Sequence, residues 1–265
     1  ISNYTEDDIK SAARAFTGGT YEQPIPLYPY GQRGVEYLFR EDDHDFGEKT
    51  FLGHTGNLDG GDIIDIIAKQ EATARFIGRH LYNFFVADEA QVPAWSIEPP
   101  ADPKAIDDIV KTWMDSDADI RAVLRTVFTS DWFKEARFKH VKSPTEFVAG
   151  VLKLSGEYSE PGPDLHTLEG TIIAMGQKLM DPPSVEGWHT GAEWIDGGTL
   201  TERINYAIDT LNDATKPGVK VIIDRIKTAG GASTPAQLVD HVLDLIGPME
   251  VAPETREALV VHAEV

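Results

Sequence analysis

Phe76-Ile-Gly-Arg-His-Leu-Tyr-Asn-Phe-Phe85 sets its apolar side chains at helical spacing. Phe76, Ile77, His80, Leu81, Phe84 and Phe85 fall on one face, and Glu71 stands four residues ahead of Arg75, where acid and base meet across one turn. The helical region carrying this face starts at Asp59-Gly-Gly-Asp62 and runs to about Val86. Outward from it the same pattern recurs. Thr5-Glu-Asp-Asp8 resembles a capping box ahead of Ile9, Ala12, Ala13 and Phe16, and Gly18-Gly19 ends that helix. Helices follow near Ala105–Ser116 and Asp119–Thr129, with Asp117 a candidate cap for the second. Pro144 suits the first turn of a helix reaching Gly156, Leu165–Met180 is periodic, and Thr199 caps a helix through Leu211. Val219 to Val265 reads as three short amphipathic helices separated by Gly230-Gly231 and Gly247-Pro248.

Two stretches break the helical pattern. Gln23 to Gly34 is a loop rich in proline and tyrosine, and Pro93 to Pro103 is another loop. Val35–Phe39 alternates, and Lys49-Thr-Phe-Leu52 is expected to pair with it as a hairpin around Asp42 to Gly47. The fold class is therefore all-α, a compact multi-helix domain with a small β-hairpin near residues 35–52. A shift of composition at Asn212–Gly218 divides the chain into a helical core, 1–212, and a carboxy-terminal helical extension, 213–265. The extension is expected to form a small appended bundle or the last layer of the same domain.

Composition narrows the function classes. The 265 residues, 41% of them hydrophobic, suffice for a buried core. No apolar run is long enough to span a bilayer. A formal net charge of −20 repels nucleic acid and anionic membranes, and suits a soluble protein, cation binding or a salty environment. The absence of cysteine excludes thiol catalysis, disulfides and thiolate metal sites. The chain opens Ile1-Ser-Asn-Tyr4 without methionine, which reads as a processed product or an excised portion. There is no Gly-x-Ser-x-Gly elbow, no phosphate loop, no dinucleotide fingerprint and no His-Glu-x-x-His. No two histidines stand three or four apart, so a zinc site on one helix is excluded.

Several sequence blocks together point to a family. They are Ala12-Ala-Arg-Ala-Phe-Thr-Gly18, His44-Asp-Phe-Gly-Glu-Lys-Thr-Phe-Leu-Gly53, Gly60-Gly-Asp-Ile-Ile64 and Ala72-Thr-Ala-Arg-Phe-Ile77. Val141-Lys-Ser-Pro-Thr-Glu-Phe147, Met175-Gly-Gln-Lys-Leu179 and the loop Asp181-Pro-Pro-Ser-Val-Glu-Gly-Trp-His-Thr-Gly-Ala-Glu-Trp-Ile195 follow. In this order they resemble the bacterial family catalogued as the domain of unknown function numbered eighteen hundred, over Asp7 to about Leu211. The resemblance implies that this chain is the carboxy-terminal portion of a longer protein with a helical amino-terminal half. It also implies a periplasmic or extracellular setting, and two partners: the missing half and a neighbouring exported, sulfatase-like protein. It supplies no accepted catalytic residues.

Two segments are candidates for chemistry or binding. The acidic turn Glu41-Asp-Asp-His-Asp45, with Glu48 close by, offers Asp43, His44 and Asp45 as ligands for a divalent cation or as acid/base groups. Its structural alternative is a solvated turn, with Asp45 on nearby amides. In the 181–195 loop, Trp188 and Trp194 suit stacking on sugar rings and His189 suits catalysis, whereas two buried indoles would simply pin the loop. Thr55-Gly-Asn-Leu-Asp-Gly60 lacks the acidic ends of a calcium loop, and Asp59 and Asp62 read as helix caps. His80 reads as a core histidine donating one hydrogen bond. Arg14, Arg75 and Arg203 read as partners for the many acids or as receptors for a carboxylate, phosphate or sulfate.

Two functions are carried forward. The first is a non-catalytic accessory protein of the bacterial envelope or exterior, a helical scaffold that binds a partner or polymer. The second is a metal-dependent hydrolase whose site is built from the 41–48 acidic turn and the 181–195 loop. A third expectation is that this portion completes a site only with the missing amino-terminal half.

Overall fold

The computed structural model describes residues 3–22, 36–158, 160, 162, 165–228, 231–247 and 250–264. Among them the chain is mainly α-helical, with two small antiparallel sheets of two strands each. The proline- and tyrosine-rich segment from Gln23 to Gly34 lies outside the described residues, as do Val35, Gly230 and Pro248. The chain divides into two compact units, Ile1–Ala90 with Ala94–Lys139, and Gln91–Pro93 with His140–Val265.

The first unit holds helices α1 (Glu6–Ala15), α2 (Gly60–Ala68), α3 (Glu71–Phe85), α4 (Pro103–Asp115), α5 (Ile120–Thr129) and the short α6 (Asp131–Glu135). Its strands are β1 (Gly19–Glu22), β2 (Glu36–Phe39), β3 (Lys49–Phe51) and β4 (His54–Gly56). Capping boxes at Thr5/Asp8 and Asp59/Asp62 start α1 and α2, so Asp59 and Asp62 act as caps. The expected helical region from Asp59 to Val86 is two helices, parted at Lys69 and Gln70. Asp119, not Asp117, caps α5; Asp117 itself stands at φ 54° in the preceding turn.

The expected hairpin is re-paired. β2 pairs with β1, Glu36 opposite Glu22, while β3 pairs with β4, Phe51 opposite His54. Leu52 and Gly53 both adopt positive φ, 47° and 84°, which makes the two-residue turn that suits a twisted hairpin. Lys49–Phe51 therefore finds its partner three residues downstream, and the 41–48 turn is left to α1.

α3 packs on α4, and the face it uses differs from the one its large side chains mark. Its buried residues are Ala74, Gly78, Arg79 and Tyr82, whereas Phe76 is 49% and Phe84 67% exposed. A Cβ on Gly78 would stand 2.7 Å from the Ile109 Cγ2 of α4. Small residues thus let the two helices approach closely, and the core closes around Ile106, Ile109, Trp113, Val123 and Val127. The displaced aromatics form two rows: Phe84, Phe85, Phe128 and Phe133 meet edge to face in one, and in the other Phe76 meets His80 and Trp95 edge-on while His80 and Trp95 are tilted to each other.

The second unit holds α7 (Pro144–Ser155), α8 (Leu165–Ala174), α9 (Gly197–Leu211), α10 (Pro217–Thr228), α11 (Pro235–Ile246) and α12 (Pro253–His262). Val148, Ile172 and Met175 form its core, with Phe147, Leu168 and Tyr206 against them. α8 stops at Ala174 rather than Met180, because Gly176 turns the chain at φ 97°. α9 is capped by Asp196, with Thr199 as the reciprocal third residue of the box. α7 meets α10 at two glycines: a Cβ on Gly218 would lie 1.9 Å from the Leu154 carbonyl oxygen, and Gly156 caps α7 at φ 61°. Asn212, at the shift of composition, is the C-cap of α9 within this unit.

Candidate functional site

The acidic turn belongs to the first unit and is fastened to α1. Arg14 projects from α1 and grips Asp45 side-on, Nε to Oδ2 at 2.6 Å and Nη2 to Oδ1 at 3.2 Å. Its Nη1 donates to the Glu48 carbonyl at 3.2 Å. The Gly47 amide donates to Asp45 Oδ1 at 2.8 Å, and a Cβ on Gly47 would meet Arg14 Nη2 at 2.7 Å. A side chain at this position would have to displace the guanidinium where it crosses the turn. The Arg14 hydrogen bond, followed by the Gly47 amide, pulls the Asp45 carboxyl from the ordinary 3.8 down to about 2.

His44 and Lys49 complete the clamp. The Thr17 carbonyl can only accept, so His44 carries its proton on Nδ1 and donates at 2.8 Å, with the ring between Phe39 and Phe46. Lys49 is buried, 1% exposed, and its ammonium donates to the carbonyls of Asp45 and Gly47. Asp43 turns the other way, 3.8 Å from Arg40. The three consecutive candidates Asp43, His44 and Asp45 therefore address three separate partners. Among the described residues no group of three or more His, Asp or Glu side chains is placed to hold a metal ion.

The 181–195 loop belongs to the second unit. Met180, Gly187 and Gly191 take positive φ at 64°, 100° and 61°, and these turns fold the loop back on itself. The indole N–H of Trp188, half-buried, donates to the Lys178 carbonyl at 3.2 Å. Trp194 is 5% exposed, so its indole sits in the interior and the His189 ring stands edge-on to it. His189 Nδ1 donates to Glu193 Oε2 at 2.7 Å, and Gln91 Nε2 donates to the same oxygen at 3.1 Å. That pairing engages Nδ1 and fixes the orientation of the half-exposed ring.

Beside α1 in the first unit lies an apolar cavity of about 950 Å³ that composition alone did not mark. Ile9, Leu52, Ile67, Phe76 and Ile77 line it, with Asp8 and Glu71 among the polar residues at its edge. Its lining is open to solvent, Ile9 at 55% and Ile67 at 41% exposed.

The most buried ion pair among the described residues carries no motif of its own in the sequence. Arg79 donates through Nε and Nη2 to Glu89 Oε2 at 2.9 and 2.7 Å, and to the carbonyls of Glu98 and Pro99. Its guanidinium lies 4.7 Å over the Trp95 ring, and Glu89 Oε1 accepts from the Ala101 amide at 2.9 Å. This network staples Glu89 and the 98–101 segment to α3. The available signal was a cation on a helix stripe shared with Tyr82 and Val86, which demands an acid nearby. His80, read as a core histidine with a hydrogen bond, instead stacks 4.6 Å from both Phe76 and Trp95, and burial lowers its pKa. Arg75 pairs with Glu71 and Asp107 as expected of an acid partner.

The family profile described as "Protein of unknown function (DUF1800)" matches residues 1–264, and the chain belongs to that family. No curated protein and no solved structure matches the chain.

Proposed function

We propose that this chain, as a member of the DUF1800 family, is an accessory binding protein of the bacterial envelope or exterior. Its helical scaffold receives an amphipathic, basic helix of a partner polypeptide in the cavity beside α1. The cavity carries this reading: Ile9, Leu52, Ile67 and Phe76 offer apolar surface of the kind that accepts helix anchors one turn apart. Asp8 and Glu71 at its edge, and a net charge of −20, favour basic flanks on the occupant. The side chains best suited to chemistry in the first unit support it too, since Arg14, Asp45 and Lys49 are engaged in holding the 41–49 turn to α1. The envelope setting, and an exported sulfatase-like neighbour or the missing amino-terminal half as bearer of the helix, rest on the family resemblance.

Fluorescence anisotropy with a labelled Leu/Lys amphipathic helical peptide and its Leu/Glu counterpart tests this. Saturable binding of the basic peptide, lost in Ile67→Glu and Phe76→Glu with circular dichroism unchanged, is the expected result. Equal binding of both peptides, or binding indifferent to both substitutions, would discard the reading.

One observation favours a second reading, hydrolysis with His189 as general base: Glu193 orients its imidazole as a base requires. Turnover of an activated ester that survives His189→Ala, together with no bound divalent cation by elemental analysis, would remove it.

A further inference from the structure

Arg203, on α9 of the second unit, is buried at 6% exposure and pairs with no carboxylate among the described residues. Its Nη1 donates to the Lys142 carbonyl at 3.0 Å, and its guanidinium lies 5.3 Å over the Phe147 ring. Nε and Nη2, both buried, meet no hydrogen-bond acceptor. Burial lowers the pKa of the group.

Three other arginines show what that edge of the guanidinium ordinarily does here. Arg14, Arg79 and Arg256 each present Nε and Nη2 together to one carboxylate, of Asp45, Glu89 and Asp240 respectively. Arg79 is as deeply buried as Arg203, and its charge is matched by Glu89. A buried guanidinium without a counter-charge carries a desolvation cost that its single carbonyl bond does not offset. One turn along α9, the Tyr206 hydroxyl is also buried, with the Thr210 side chain near it but no well-formed hydrogen bond. Residues three apart lie on one helix face, so the fork of Arg203 and this hydroxyl are donors on the same side of α9.

We propose that Arg203 and Tyr206 form a receptor for an oxyanion, in which the Nε/Nη2 edge binds two oxygens side-on and the tyrosine hydroxyl donates a third bond. The chemical class is a small carboxylate, sulfate or phosphate, for which a planar fork of two N–H groups is the fitting partner. The site is independent of the cavity beside α1: it lies on a different unit and takes a charged rather than an apolar ligand.

The test is a titration of the whole chain with malonate, sulfate and phosphate, against chloride at matched ionic strength. It is followed through the Arg203 side-chain Nε–H resonance and by thermal melting. A saturable shift of that resonance is expected, with a rise in Tm, and the anion that acts at lowest concentration identifies the source. Arg203→Lys keeps the charge and loses the fork, and binds roughly tenfold more weakly. Tyr206→Phe, which keeps the ring in the core, weakens binding while retaining the fold. Arg203→Met is expected to lose the oxyanion-specific rise while melting no lower than wild type in chloride. An Nε–H resonance unmoved by all three anions overturns the proposal. So does an equal rise in Tm for wild type and Arg203→Met, which would mark general salting-out.

Discussion

Arg79 and Glu89 are buried together, 6% and 1% exposed at the side chain, so removing either leaves the other charged inside the first unit. Arg79→Met should therefore destabilise by about 3–5 kcal/mol in denaturant unfolding, and Arg79→Met with Glu89→Leu should recover much of that loss. A single substitution costing under about 1 kcal/mol would show the pair to be far better hydrated than its burial implies. The exposed counterpart, Arg14 with Asp45, responds to pH. The Asp45 carboxyl is depressed from the ordinary 3.8 to about 2 when folded, so its stabilisation is full above the unfolded value and lost as pH falls toward the folded one. The melting difference between wild type and Asp45→Asn should accordingly be constant near neutrality and shrink between about pH 4 and about pH 2. A difference that persists at the acid end would mean that the substitution acts through packing or hydrogen bonding rather than through the carboxylate charge. Both residues of this clamp were visible in the sequence as separate candidates. What was invisible was that they choose each other, because 31 positions part them and only the fold brings a guanidinium to that turn.

At the scale of elements, α3 carries the sharpest test. Gly78→Ala would gain about 1 kcal/mol of helix propensity, but its new methyl would stand 2.7 Å from Ile109 Cγ2. Ile109 is fully buried and branched at Cβ, so its methyl has nowhere to turn. Overpacking costs about 1–3 kcal/mol, so the substitution is expected to destabilise on balance, and Ile109→Leu, which removes the branch at Cβ, is expected to relieve it in the double variant. An alanine variant more stable than wild type would mean that α3 and α4 can slide apart. Helix positions were legible in the sequence because a period of 3.6 is local, and Thr5, Asp59 and Pro144 mark starts by their own chemistry. The buried face of α3 was not, because counting large apolar residues favours Phe76 and Phe84, while the packing is decided by Ala74 and Gly78. Strand pairing escaped for a related reason: Leu52 accepts a positive φ that its side chain disfavours, and only that turn gives β3 its partner.

For the molecule as a whole, charge dominates. A net charge of −20 over 265 residues opposes compaction, while most of the ion pairs among the described residues are surface contacts worth little each. Raising sodium chloride from low to physiological strength, where the Debye length falls to about 8 Å, should therefore raise Tm. A fall would mean that the pairs outweigh the repulsion. Fold class was readable at this scale from pattern alone; the receptor at Arg203 was one of two readings there, since an arginine among 44 acids has many candidate partners and only the structure leaves it without one among the described residues.

The crossing of α7 and α10 bears on how this protein's sites can be sought. At Gly218 an added methyl would fall 1.9 Å from a carbonyl oxygen of the main chain, which no rotamer change can relieve. In a saturation library scored by survival, Gly218 would reject every other amino acid as firmly as a nucleophile does. Mutational intolerance in this chain therefore does not by itself mark where a ligand binds. A search for its working residues has to score ligand response, with the folded fraction as the denominator.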